Sequence, residues 1–114
     1  MIPFELSTNL NHTWIFDLDG TIFKHNGYLD GTDELLPNVK TLFESVPIDD
    51  YIIILTARSK IYEKLTLENL NKYNIRYDKI IFDIPTGERI LINDIKPQGL
   101  NTALCWNITR DKGF

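Results

Sequence analysis

The sequence predicts a three-layer α/β sandwich built on a parallel sheet of about five strands. Three observations predict it. Short apolar runs recur at 13–16, 51–55, 79–82, 89–92 and 102–106, several of them Ile-rich and nearly continuous. Strands buried on both faces of a parallel sheet read that way, whereas half-exposed strands alternate. Two segments of helical periodicity separate the first three runs, and the order strand, helix, strand, helix, strand is that of right-handed crossovers.

The elements follow in chain order. The first run, 13–16, leads into Asp17. Pro37 suits a first helical position, and Val39, Leu42, Phe43 and Val46 form an apolar stripe behind it. The second run, 51–55, leads into Thr56. Ile61, Leu65, Glu68 and Lys72 then fall at helical spacing, Leu67 and Leu70 add apolar area, and Asn74 suits a left-handed terminator. Residues 83–88, with Pro85 and Gly87, are too few for a crossover helix between the third and fourth runs. Residues 95–101 hold Pro97 and Gly99 and leave room for a short turn at most. Residues 1–114 read as a single domain without linker or repeat.

Composition narrows the function. Lys plus Arg is 12 and Asp plus Glu is 16, a net charge of −4. That balance argues against a nucleic-acid partner, which calls for a dense basic surface. No apolar run reaches membrane-spanning length, and residues 1–11 lack a basic stretch ahead of an apolar one. The lone Cys105 reads as core filling in a reducing compartment, so a cytoplasmic location is expected.

Ligands of open parallel sheets bind outside the carboxyl ends of the strands. There the sequence offers Asp17-Leu18-Asp19-Gly20-Thr21, then Thr56-Ala57-Arg58, then Asn93-Asp94. Converging carboxylates repel each other unless a cation sits between them, and oxygen-only ligands suit magnesium. One carboxylate can attack phosphorus, a second can move the proton, and a hydroxyl, a backbone N–H and a guanidinium can hold phosphate oxygens. Plainer readings stand beside these. Asp-Gly also marks turns, Thr56 can end a strand, and Arg58 can be a solvated surface charge. His12 and His25 lack partners at metal-ligand spacing and read as surface or loop residues. Tyr28 and Trp106 read as packing.

With those residues in hand, the chain resembles the haloacid dehalogenase-like phosphatase superfamily. The Asp-x-Asp-Gly-Thr motif is Asp17 to Thr21, the strand ending in a hydroxyl is Ile54-Leu55-Thr56, and the acid after an apolar strand is Asp94. The resemblance implies a Rossmann-like fold with the Asp17 strand at its centre, flanked by the strands ending in Thr56 and Asp94. It implies Asp17 as nucleophile and Asp19 as acid/base. A Mg2+ ion would be held by Asp17, the Asp19 carbonyl and Asp94, with phosphate at Thr56, Ala57 and Arg58. Two departures stand out. Ile84-Pro85 stands where small members carry Lys-Pro, leaving Lys79, Arg89 or Lys96 as replacements, with Arg89 expected at the far end of its strand. Asn93 replaces a second acid.

No cap insertion is visible, so residues 22–36 form only a flap. A capless site implies either a large substrate, such as a polynucleotide end or phosphoprotein, or closure by a second copy. The expected substrate is a small phosphate ester, a sugar phosphate being one example, in a homo-oligomer such as a tetramer. The flap carries Lys24, His25, Asn26 and Tyr28 toward a shared pocket, and Arg110 and Lys112 of a neighbour's tail would meet the anion. The rival class is a phospho-ligand binding module without turnover.

Overall fold

The computed structural model describes residues 2–114; Met1, at the head of the segment read for a leader, lies outside them. It is an α/β arrangement of three parallel strands, with helices in the crossovers. Strand β1 spans Thr13–Asp17, β2 Tyr51–Leu55 and β3 Lys79–Ile81, in the order β1-β2-β3. Thr13 lies beside Tyr51 and Asp17 beside Leu55, so the first two strands end level. Among the described residues no cap is evident.

Helix α1, Val39–Ser45, forms where its stripe predicts, and Val39, Leu42, Phe43 and the following Val46 are all buried. Phe43 stacks on Phe16 with ring centroids 4.4 Å apart, which fixes α1 against the sheet. Helix α2, Glu63–Lys72, forms too; it buries Leu70, one of its expected apolar residues, together with Thr66, while Leu65 and Leu67 are only half-buried. A 3-10 turn at Lys60–Tyr62 precedes it, so Ile61 is out of phase and 83% exposed. Asn74 ends the helix in the left-handed region at φ 56°.

The five-stranded expectation is met in part, by three parallel strands. Residues 89–92 and 102–106 run outside the sheet, and β2 rather than β1 is the middle strand. Ile90, Leu91 and Ile92 are exposed, and so is Cys105, contrary to its reading as core. The buried cluster lies on the face carrying Phe16, Ile52 and Ile54, while Ile15 on the opposite face of β1 is 49% exposed. An apolar run reports what a segment would gain by burial and not which surface receives it. With only six residues between the third and fourth runs, no crossover helix carries the chain back across the sheet. The radius of gyration is 14.8 Å, against roughly 13 Å for a compact chain this long, and residues 84–109 form a largely exposed arm.

At the amino ends of the strands, Asp50 ties β1 to β2. Its carboxylate accepts from the His12 backbone N–H at 3.0 Å, the His12 ring at 2.8 Å and the Trp14 indole at 2.9 Å. Burial pushes the Asp50 carboxyl up, but these three donors outweigh it and hold it below the ordinary carboxylate value. His12 is therefore a strut in a half-buried network rather than a free surface residue.

Candidate active site

β1 delivers Asp17 to its carboxyl end. Gly20 then turns the chain at φ 87°, a left-handed value that favours glycine, and its backbone N–H donates to the Phe23 carbonyl at 2.7 Å. The Leu18 carbonyl accepts from the N–H groups of Ile22 and Phe23, closing a tight loop over a buried Leu18. This loop presents Asp17, Asp19 and Thr21 to one open cavity of about 280 Å³, lined also by Gly20, Ile108 and Arg110. The Thr21 hydroxyl donates to Asp17 Oδ2 at 3.3 Å.

Two guanidiniums approach from the carboxyl-terminal part of the chain. Arg89 donates to Asp17 Oδ1 at 2.9 Å, which corrects its placement at the far end of a strand. Of the three candidate replacement cations, Arg89 is the one that reaches the nucleophile position. Arg110 lies over Gly20, so close that a Cβ on Gly20 would stand 3.1 Å from Arg110 Cγ. Its segment is docked onto the same chain. The Asp111 N–H donates to the Gly20 carbonyl at 3.0 Å, the His25 N–H to Asp111 Oδ1 at 2.8 Å, and the Phe114 N–H to the Pro37 carbonyl at 3.1 Å. Trp106 packs edge-on between Phe4 and Phe114. The tail thus walls the cavity of its own chain, where the sequence suggested a neighbour's.

Thr56 follows β2, one residue past the Asp17–Leu55 pair, and is buried. Its hydroxyl accepts from the Arg58 N–H at 3.0 Å, turning the backbone so that exposed Ala57 has no partner for its own N–H among the described residues. That N–H is available to an anion. Arg58 is neither a surface charge nor an open phosphate ligand. Its side chain is fully buried, and all five of its N–H donors are used. Nε and Nη2 bind Asp19 at 3.0 and 2.9 Å, Nη1 and Nη2 bind Asp33 at 3.0 and 2.6 Å, and Nη1 also reaches Thr66 Oγ1 at 3.0 Å. Burial alone would lower its pKa, but the two carboxylates reverse this and raise it. Tyr28 covers the guanidinium, its ring centroid 4.2 Å from Cζ, in the packing role expected of it. Burial, and then the Asp19 charge, push the Tyr28 hydroxyl up.

Asp94 is not brought to Asp17 and Asp19. It stands exposed on the arm, where its carbonyl accepts from the Thr102 hydroxyl. Among the described residues no group of three His, Cys, Asp or Glu side chains is close enough to hold a metal ion. The donors at the cavity are nevertheless hard oxygens, and the Asp17 carboxylate is 41% exposed. Magnesium keeps several waters and uses one or two carboxylates, so Asp17 with the Asp19 main chain fits it. Sequence reasoning missed Asp33. No spacing signal marks it, since a carboxylate between Thr32 and Glu34 reads as a solvated loop residue.

The fold and site define an α/β protein with paired carboxylates at a strand's carboxyl end. No family model matches the chain, and no curated protein matches it. Among solved structures it is similar to a chain in the structure of the Pnkp1/Rnl/Hen1 complex, at 27% sequence identity and a TM-score of 0.57. The match covers 74% of this chain and 32% of that one, so this chain spans about a third of its neighbour's length. No helix among the described residues is long and apolar enough to cross a membrane.

Proposed function

We propose that the chain is a magnesium-dependent phosphohydrolase of the haloacid dehalogenase-like kind, acting through an aspartyl-phosphate. The observation that carries this reading is the meeting of Asp17 and Asp19 at one open polar cavity, with Arg89 and Arg110 beside them. An Asp17 carboxylate oxygen attacks phosphorus and the ester P–O bond breaks. Asp19 gives its proton to the departing oxygen, then takes one from the water that attacks the phosphoenzyme, releasing phosphate and restoring Asp17. The Ala57 N–H and the two arginines attract the phosphate oxygens. Magnesium, when bound by Asp17 and the Asp19 carbonyl, supplies neutralisation of the charge gathered there.

Asp94 and the fuller sheet belong to the same reading. No main-chain hydrogen bond reaches the outer edge of β1 among the described residues, and segment 89–92 has the composition to pair with it. Arg89 and Asp94 are five residues apart, about 16 Å along a strand. Asp94 therefore reaches the metal as a strand end only when Arg89 leaves Asp17. The exposed arm and open edge also support a homo-oligomer.

Small phosphate esters, sugar phosphates among them, remain the first substrate class. A large substrate, such as a polynucleotide end or a phosphoprotein, is the second reading. The openness of the site favours it, since small-ligand sites enclose most of their ligand. The likeness to a chain of the Pnkp1/Rnl/Hen1 complex is compatible with it. The test is release of p-nitrophenol from p-nitrophenyl phosphate, lost on chelation and restored by magnesium. Binding of a phosphorylated ligand without any release would make the chain a binding module instead.

A further inference from the structure

We infer that Asp33, a flap residue, is a positioning residue for Asp19, acting through Arg58; the inference rests on the phosphohydrolase reading. Asp33 is 1% exposed, and its carboxylate is fully committed. It accepts two bonds from Arg58, and a third from Asn69 Nδ2 at 2.8 Å, while its carbonyl accepts from the Tyr73 hydroxyl at 2.9 Å. Asn69 and Tyr73 belong to α2 and its C-terminal cap, so Asp33 is fixed to the scaffold. Thr66 of α2 holds the guanidinium from the same side. The adjacent edge of the guanidinium, Nε and Nη2, then grips both oxygens of Asp19, whose side chain is 17% exposed at the cavity.

A bidentate guanidinium fixes the plane of a carboxylate as well as its position. Asp19 sits in a loop of few residues after β1, and nothing else among the described residues bonds its side chain. Its direction is therefore set by Arg58, and that of Arg58 by Asp33. A buried arginine facing the acid/base alone would be free to follow it. Facing two carboxylates at once, it has one orientation. The arrangement also couples the flap to the chemistry: the segment that carries Asp33 carries Tyr28 over the same guanidinium.

Leaving-group dependence separates positioning from plain structural support. p-Nitrophenolate departs without a proton, whereas the alkoxide of glycerol phosphate needs one. A misdirected Asp19 therefore slows phosphoryl transfer from the second substrate and spares transfer from the first. The later attack of water, which Asp19 also serves, is common to both, so the first turnover is the step to compare. In the folded, magnesium-loaded protein, Asp33→Asn should lower the first-turnover rate of glycerol release from glycerol phosphate by about 10²-fold, the scale of a 1 Å misplacement. The same variant should leave the first-turnover release of p-nitrophenol from p-nitrophenyl phosphate within a few-fold. Equal loss of the two first-turnover rates, or loss of neither, would overturn the inference while leaving the hydrolase reading intact. A wild-type chain that releases phosphate from neither would overturn both. Should Asp33→Asn fail to fold, Asn69→Ala removes one support of Asp33 and decides by the same ratio. A smaller shift in the same direction upholds the inference, and an unchanged ratio overturns it.

Discussion

Two regions of the chain invert the usual rule of burial. Around α2, the nucleophile loop and the flap, the largest fully buried side chain is a guanidinium locked between two carboxylates. Along residues 84–109 the apolar side chains of Ile90, Ile92 and Ile95 face solvent. The polar centre is stable because every donor of Arg58 meets an acceptor, so burial leaves nothing unsatisfied. The apolar arm is exposed because no crossover returns it to the sheet. Burial follows what the surroundings offer a group, and hydrophobicity alone does not decide it.

Substitutions can break or sharpen this contrast. The largest effect falls on the site that the polar centre supports. Asp17→Asn removes the attacking group, and turnover of an aryl phosphate should fall on the order of 10⁴–10⁶-fold, as losses of a covalent nucleophile do. Near-normal turnover in that variant would remove the chemistry from the region altogether. Next comes stability at the centre itself. Asp33→Ala leaves Arg58 buried against a missing carboxylate and should cost about 3–5 kcal/mol in urea unfolding. A cost below about 1 kcal/mol would mean that the guanidinium readily finds water, and that the centre is looser than its hydrogen bonds indicate.

Asp50, at the far end of the sheet, makes the contrast pH-dependent. Its folded-state pKa is depressed, so its contribution is full above the unfolded value of about 3.9 and is lost as pH falls through the lower folded value. Unfolding free energy measured from pH 6 to pH 3 should drop more steeply in the wild type than in Asp50→Asn. Parallel curves would assign the acid sensitivity to other carboxylates. The smallest effect is expected on the arm. Ile90→Ser should change the stability of the folded chain by no more than about 0.5 kcal/mol, because that side chain is 83% exposed. The same variant should reduce self-association in light scattering. A destabilisation of 2 kcal/mol or more would instead place residues 89–92 in a core, and with them the fourth strand and Asp94.

The sequence by itself determined what depends on local pattern. The stripe Val39, Leu42, Phe43 and Val46 specified α1 and its buried face. Asn74 specified the end of α2, and the apolar runs specified β1, β2 and β3. Asp17, Asp19 and Gly20 were legible because a strand followed by two acids and a glycine is a contiguous signal. Tertiary structure alone decided what depends on meeting across the chain. Arg58 joins Asp33 over 25 residues and Asp19 over 39, Arg89 reaches Asp17 over 72, and the tail closes on Gly20. No periodicity encodes such a pairing. A charged side chain reads as solvated until the fold supplies its counter-charge, and an Ile-rich run reads as buried until the fold withholds a surface to cover it.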